Sequence, residues 1–224
     1  MSRMMIISAA VAVIGLGAYF VTTPGSGTNV TPADPLGAAN AQEASDIDTS
    51  SISEMTLGNP DAPVTVIEYA SYTCPHCARF HEGPFKQLKA DYIDTGKINF
   101  VYREVYFDRY GLWASMIARC AGTPEAFFGM SDLIYEKQST WARAGEPAAI
   151  VNELRKIGLL AGLDANTMEA CLQDGDQAQT LVAWYQENAT ADGVDSTPSF
   201  VINGTKYSNM SYEEMSGLID AAAE

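Results

Sequence analysis

The sequence predicts an α/β fold into which an all-helical segment is inserted, and three observations support this prediction. Strand-type runs at 64–69 and 98–102 flank a helical pattern. Between about 110 and 192 only helical patterns occur. After this block, strand-type residues return at 199–202 and 205–207, and a last helix follows. The predicted order is therefore β-α-β, a helical block, and β-β-α.

The N-terminal segment predicts export. Arg3 precedes an uncharged apolar run at 4–21, the layout of a signal or membrane anchor over residues 1–21. The best candidate for a cleavage site, at 39–41, lies well beyond the run, and the small residues at 25–27 are a weak one, so an uncleaved anchor is favoured over a cleaved signal. A buried core helix is disfavoured because a linker rich in Pro, Gly and Ser follows at 22–53. Its charges are all acidic, which keeps it extended and flexible.

The remaining residues form the folded part. The composition of the whole chain of 224 residues excludes two classes of protein. Hydrophobic residues make up 47%, which rules out general disorder. The net charge of −15 argues against nucleic-acid binding. Strand and helix at 54–109 and 193–224 form one domain, and 110–192 form the inserted helical domain. In the first domain, Gly83-Pro84 should break the first helix. In its last part, Asn203-Gly204 predicts a tight hairpin turn and Ser211 predicts a helix cap.

The motif that carries chemistry is Cys74-Pro75-His76-Cys77, at the junction of a strand and a helix. Cys74 would lie at the helix N-terminus, where unpaired backbone N–H groups and the helix dipole stabilise a thiolate. Pro75 suits the first helical turn because it has no N–H to satisfy, and Cys77 follows within disulfide range. His76 is expected to add positive charge or a hydrogen bond. A stabilised thiolate makes the Cys74–Cys77 disulfide oxidising.

Two other uses of the motif remain open, namely half of a zinc site and an inert structural disulfide. A structural zinc site needs four ligands, and the only histidines in the sequence are His76 and His81. We therefore predict no metal and no cofactor. For His81 we expect a surface or hydrogen-bonding role.

Two stretches resemble the DsbA family of bacterial thiol–disulfide oxidoreductases, which have a thioredoxin fold with a helical insertion. They are 68–77, which includes the Pro-His dipeptide between the cysteines, and 195–204, which includes Thr197-Pro198. The resemblance covers about 55–222, and the long gap between the two stretches matches the inserted helices. The fold it implies is thioredoxin-like with an inserted all-helical domain.

The resemblance implies a role for each matching residue. Cys74 would be the exchanging sulfur and Cys77 the buried resolving thiol. Thr197-Pro198 would form a cis-proline loop that pairs with an extended substrate peptide, with a trans bond in an ordinary loop as the alternative. Glu68 would be a buried acid that moves protons as Cys77 ionises, or alternatively a glutamate in water on an edge strand.

The sequence departs from the family at two positions. His81 stands where some members have a second acidic residue, and Arg103 would replace a lysine that balances the buried acid. These departures leave open how strongly the thiol of Cys74 is acidified.

Cys120 and Cys171 fall on predicted helices of the inserted block. In an oxidising compartment we expect them to form a structural disulfide, as in one branch of the family that the chain resembles, with two buried free thiols as the alternative.

The predicted function is that of a periplasmic dithiol oxidase, tethered to the inner membrane by 4–21 or soluble after cleavage. Its substrates would be reduced exported proteins, and the resemblance implies a membrane quinone-linked reoxidant of the DsbB type. A reductase or isomerase on the same fold, and a non-enzymatic binding module of the envelope, are the alternatives.

Overall fold

The computed structural model describes residues 47–224. The predicted anchor at 1–21 and most of the linker at 22–53 lie outside these residues. Within 47–224, no helix is both long and apolar enough to cross a bilayer. The last residues of the predicted linker contact the fold, because the side chain of Ile52 is buried against the core.

The described residues contain five strands and nine helices in the predicted order. The strands are β1 (Met55–Gly58), β2 (Val64–Ala70), β3 (Ile98–Glu104), β4 (Ser199–Ile202) and β5 (Thr205–Ser208). The helices are α1 (Pro75–Glu82), α2 (Pro84–Leu88), α3 (Arg109–Arg119), α4 (Pro124–Glu136), α5 (Gln138–Trp141), α6 (Pro147–Leu160), α7 (Ala165–Leu172), α8 (Gly175–Ala191) and α9 (Tyr212–Ala222). A π-helical turn, Lys89–Ile93, extends α2. Of these elements, β1 and the short helix α5 were not predicted.

The strands form one mixed sheet in the order β1-β3-β2-β4-β5. β2 and β3 are parallel, and the other three pairs are antiparallel. β2 is therefore a central strand, hydrogen-bonded on both sides, and its carboxyl end leads directly into the loop before α1. This arrangement confirms the predicted fold class, with the helices α3–α8 inserted between β3 and β4.

Alternation along β2 sends neighbouring side chains to opposite faces of the sheet. Val66 and Ala70 belong to the main core, which also contains buried residues of α1, α4 and α6. Tyr69 faces the other way into a smaller cluster that includes Ala189 of α8. Glu68 has the parity of Val66 and so points into the main core, on the side of the sheet that α1 covers.

Three local predictions match the structure. Gly83 separates α1 from α2. Asn203 and Gly204, between β4 and β5, have φ values of 43° and 84°, the left-handed conformation that a type I′ hairpin turn requires. Ser211 caps α9 in a complete capping box with Glu214.

Candidate active site

Cys74 is the N-cap residue of α1, in extended conformation, and Pro75 occupies the first helical turn. The side chain of Cys74 is partly exposed, whereas that of Cys77 is fully buried. Both are free thiols in the structure. The site therefore presents one sulfur to solvent and keeps its partner inside, one helical turn along.

The surroundings of Cys74 favour its ionised form. The pKa of Cys74 falls from 9.0 to about 5, and a hydrogen bond with the thiol of Cys77 is the largest cause, against the opposing effect of partial burial. Hydrogen bonds with Thr197 and with the backbone of Cys77 and His76 also contribute to this fall. Cys74 is therefore a thiolate at neutral pH.

The pKa of Cys77 moves in the opposite direction. Burial is the main cause of its rise, followed by the hydrogen bond with Cys74 and the negative charge of Glu68. At neutral pH the reduced site thus holds a thiolate at Cys74 and a protonated thiol at Cys77, and the thiol donates to the thiolate.

The loop before β4 meets the exposed sulfur. Its Thr197-Pro198 peptide bond is cis, and the carbonyl oxygen of Thr197 lies 3.4 Å from Cys74 Sγ. Pro198 is buried and Thr197 is partly exposed. Residues 123 positions apart in the chain therefore meet at one site.

Glu68 is completely buried and lies beneath the site, which is where the resemblance placed it, and not in water. Its two carboxylate oxygens lie 3.2 and 3.0 Å from Nε2 of His81, whose side chain is also buried. The opposite ring nitrogen, Nδ1, is buried and has no hydrogen-bond partner among residues 47–224. His81 is thus a buried partner of the acid, a role that its sequence position alone did not reveal.

The expected pairing of Arg103 with the buried acid is wrong. Arg103 instead contacts Glu54, Asp192 and the hydroxyl of Tyr69, at 2.6, 3.2 and 2.7 Å. The reason is strand parity: Arg103 pairs with Tyr69 in the parallel ladder, so both point to the face of the sheet opposite Glu68.

His76 is exposed on α1, and its ring contacts a neighbour on the same helix. Arg79 Nη2 lies 2.8 Å from His76 Nδ1, and since a guanidinium only donates, Nδ1 is the acceptor. The contribution of His76 to the low pKa of Cys74 comes from its backbone.

Two further side chains hold the active-site loop, and sequence reasoning missed both. Nε2 of the buried Gln138, on α5, donates to the backbone carbonyls of Tyr72 and Cys74 at 2.8 and 2.9 Å. Asp108, the N-cap of α3, accepts from the hydroxyl of Thr73 at 2.7 Å. The inserted helices therefore hold the loop, through the N-terminus of α3 and through α5. Of the two residues, only Asp108 has a local sequence signal, that of a helix cap.

In the inserted block, Cys120 and Cys171 form a disulfide that joins the end of α3 to α7. Neither Cys120 nor Cys171 contributes to the site around Cys74. Within residues 47–224, no group of three or more His, Cys, Asp or Glu side chains has the arrangement of a metal site.

Comparisons with known proteins agree with this geometry. The sequence profile of the family described as Thioredoxin matches residues 50–221. A Rickettsia bellii protein named a protein-disulfide oxidoreductase is 37% identical over 171 residues, which are 76% of this chain and 65% of that protein. The chain therefore spans less than two thirds of the length of this relative.

Two solved structures are similar in fold and share 26% sequence identity. The crystal structure of Wolbachia pipientis alpha-DsbA1 has a TM-score of 0.71 and is covered to 94%, against 80% of this chain. A protein-disulfide isomerase from Novosphingobium aromaticivorans has a TM-score of 0.67 and is covered to 98%, against 76% of this chain.

Proposed function

Because the chain belongs to the thioredoxin family, as a DsbA-like thiol–disulfide oxidoreductase, we propose that it works as a dithiol oxidase, which introduces disulfides into exported proteins. The substrates are reduced proteins in the periplasm, and the oxidised site is regenerated by a membrane quinone-linked partner of the DsbB type. Residues 4–21 either tether the enzyme to the inner membrane or are removed.

One observation carries the choice of oxidase: the opposite pKa shifts of the two cysteines. The pKa of Cys74 falls to about 5, so its thiolate is a stable leaving group. The more the reduced form is stabilised by this thiolate, the more readily the disulfide gives up its oxidising equivalents. A reductase requires the opposite, a disulfide that is more stable than the reduced form.

Substrate oxidation then takes two exchange steps. A substrate thiolate attacks Cys74 Sγ, a new S–S bond forms, the Cys74–Cys77 bond breaks, and the sulfur of Cys77 leaves and takes a proton. A second thiolate of the substrate then attacks the substrate sulfur of the mixed disulfide and expels Cys74 as a thiolate. The substrate has lost two electrons and two protons. The enzyme site has gained the two electrons and one proton, on Cys77, and the other proton goes to solvent.

The backbone of the Thr197-Pro198 loop is placed to hold the substrate. The carbonyl of Thr197 faces Cys74 Sγ, so an extended peptide that carries the attacking thiol can pair with this loop as an added strand. Recognition through backbone atoms suits an enzyme whose substrates differ in sequence.

Glu68 serves the inner sulfur. The carboxylate lies on the core side of β2 beneath α1, and its charge is one cause of the raised pKa of Cys77. We assign it the exchange of a proton with Cys77, which is a thiolate when it leaves or attacks and a thiol in the resting reduced site.

The proposal is tested by equilibrating the full-length protein, in mild detergent, with glutathione buffers of graded ratio. The fraction of Cys74–Cys77 disulfide is measured by alkylation and mass spectrometry, and a Cys74→Ser/Cys77→Ser variant corrects for any reduction of Cys120–Cys171. If half of the molecules contain the Cys74–Cys77 disulfide only in oxidising buffers, the result supports an oxidase. A disulfide that persists in strongly reducing buffers refutes it and favours a reductase.

An isomerase is the second candidate, because one of the similar structures is described as a protein-disulfide isomerase. The two activities separate on a substrate with scrambled disulfides. An isomerase restores the native pairing without net oxidant, whereas an oxidase only adds disulfides to reduced substrate. A binding module would retain its role in the cell when Cys74 is replaced by Ser.

A further inference from the structure

The proton of Cys77 needs a route to solvent, and burial closes the direct one. Cys77 has no exposed surface and Glu68 has none either. If Glu68 accepts the proton, as proposed above, the charge of the buried carboxyl group changes, and a second proton must leave the core to compensate for it. This inference therefore rests on the proposed function and concerns the path beyond Glu68.

His81 is the residue placed to continue the path. It lies four residues after Cys77 on α1, so the two side chains share one face of the helix. Its Nε2 contacts both oxygens of Glu68, at 3.0 and 3.2 Å. Its Nδ1 is buried without a hydrogen-bond partner among the described residues, so one end of the ring is engaged by the acid and the other is available.

One face of the His81 ring lies against α4. The ring of His81 stacks on Tyr135 with centroids 4.4 Å apart, and Asp132 lies one turn earlier on that helix. Partial burial raises the pKa of Asp132, and its charge interaction with His81 is the largest of those that oppose the rise. Asp132 is exposed, so this carboxylate on the helix that carries Tyr135 is open to solvent.

The other groups around His81 do not offer a second path. The titratable groups that face it are Glu68 on β2, Cys77 on α1, Tyr102 on β3, and Tyr135 and Asp132 on α4, while α2 contributes only the ring of Phe85. Burial raises the pKa of Tyr102 and of Tyr135 well above the usual value for tyrosine. Both phenols also bond to each other, so neither exchanges protons readily.

We propose that His81 is a positioning residue that relays the Cys77 proton from Glu68 to Asp132 and solvent. At the start both ring nitrogens of His81 carry a proton, and Glu68 is a carboxylate. When Cys77 attacks a mixed disulfide at Cys74, its proton passes to a carboxylate oxygen of Glu68, and His81 releases the Nδ1 proton toward Asp132. The new Cys74–Cys77 bond forms as the outer sulfur leaves. One proton enters the Glu68–His81 pair and one leaves it.

The same pair runs in reverse when Cys77 is the leaving group. Glu68 returns a proton to the Cys77 sulfur, and Nδ1 of His81 takes one from the solvent side. In both directions the net charge of the buried pair is the same before and after, which avoids the high cost of an isolated charge in the core.

The test separates the two steps by which glutathione disulfide oxidises the reduced full-length protein. Cys74 first forms a mixed disulfide, and Cys77 then resolves it in a unimolecular step. Both rates come from acid quenching and mass spectrometry between pH 6 and 9. In His81→Gln the amide still donates to Glu68 but carries no exchangeable charge.

We expect His81→Gln to slow the resolution step about tenfold at pH 7, with the first step within twofold of wild type. Its resolution rate should rise with pH more steeply than that of wild type, because hydroxide must then remove the proton. Asp132→Asn should slow the same step about threefold. Glu136→Gln, one turn further along the exposed side of α4, is the matched control and should have no effect.

If His81→Gln resolves the mixed disulfide at the wild-type rate at every pH, the relay is wrong. Equal slowing of both steps also overturns it, because that result indicates a structural role. If His81→Gln does not fold, Asp132→Asn tests the relay alone, since it changes only an exposed side chain. The proposed oxidase activity is tested separately, by the equilibrium with glutathione. The rates measured here do not determine that equilibrium, so either proposal can fail without the other.

Discussion

Lowering the pH from 7 to 5 should destabilise the reduced protein more than it destabilises a Cys74→Ser variant. The pKa of Cys74 is about 5 in the folded reduced protein, against an ordinary value of 9.0. Because the folded value is the lower one, the thiolate stabilises the fold fully above pH 9, and this contribution is lost as the pH falls through 5.

The magnitude follows from the two pH units between 5 and 7. Without screening, the thiolate contributes about 2.7 kcal/mol at pH 7 and about 0.4 kcal/mol at pH 5. Cys74 is only half-buried, so solvent screens part of this interaction. We therefore expect the reduced protein to lose about 1 to 2 kcal/mol more than the variant over this interval.

The measurement is urea unfolding of both reduced proteins at pH 7 and pH 5, followed by tryptophan fluorescence. The serine variant keeps every other titrating group, so their effects on the free energy of unfolding cancel in the comparison. Mass spectrometry checks that the reductant leaves Cys120–Cys171 intact in both samples. Parallel pH dependence of the two proteins would show that the fold does not stabilise the Cys74 thiolate.

Three further predictions follow from individual contacts. Cys77→Ala removes the thiol that donates to the Cys74 thiolate, so the pKa of Cys74 should rise by roughly one to two units; an unchanged titration of the ultraviolet thiolate absorbance would contradict this. Replacing both Cys120 and Cys171 by Ala opens a loop with a sequence separation of 51 and should lower the free energy of unfolding by about 2 to 4 kcal/mol. Calorimetry measures this loss, and a transition temperature equal to that of wild type would disprove it. Gln138→Ala deprives two backbone carbonyls of the active-site loop of a donor and should cost about 1 to 3 kcal/mol in urea unfolding. Gln138→Glu also removes the amide donor, so full stability in both variants would show that these hydrogen bonds contribute nothing.

The fold class and the redox motif could be predicted from the sequence because both depend on local patterns. The period of apolar residues separates strands from helices along the chain. A Cys-Pro-His-Cys motif at a strand–helix junction places Cys74 at a helix N-terminus whatever the rest of the fold does. The helix break at Gly83-Pro84 and the hairpin turn at Asn203-Gly204 were also predictable, because both depend on the backbone preferences of adjacent residues. β1 was missed because its four residues include one β-branched side chain and no Asn-Gly turn marks its end, as one does between β4 and β5.

Contacts between distant segments were decided only by the tertiary structure. Strand parity sends Glu68 into the core and Arg103 to the opposite face of the sheet, so the expected pair does not form. The buried acid instead meets His81, which no periodicity distinguishes from a surface histidine. Gln138 reaches the active-site loop from 64 residues away, across the inserted helices. Local sequence therefore determined which cysteine lies at the helix N-terminus, whereas long-range packing decided which side chains surround the buried one, because these come from segments far apart in the chain.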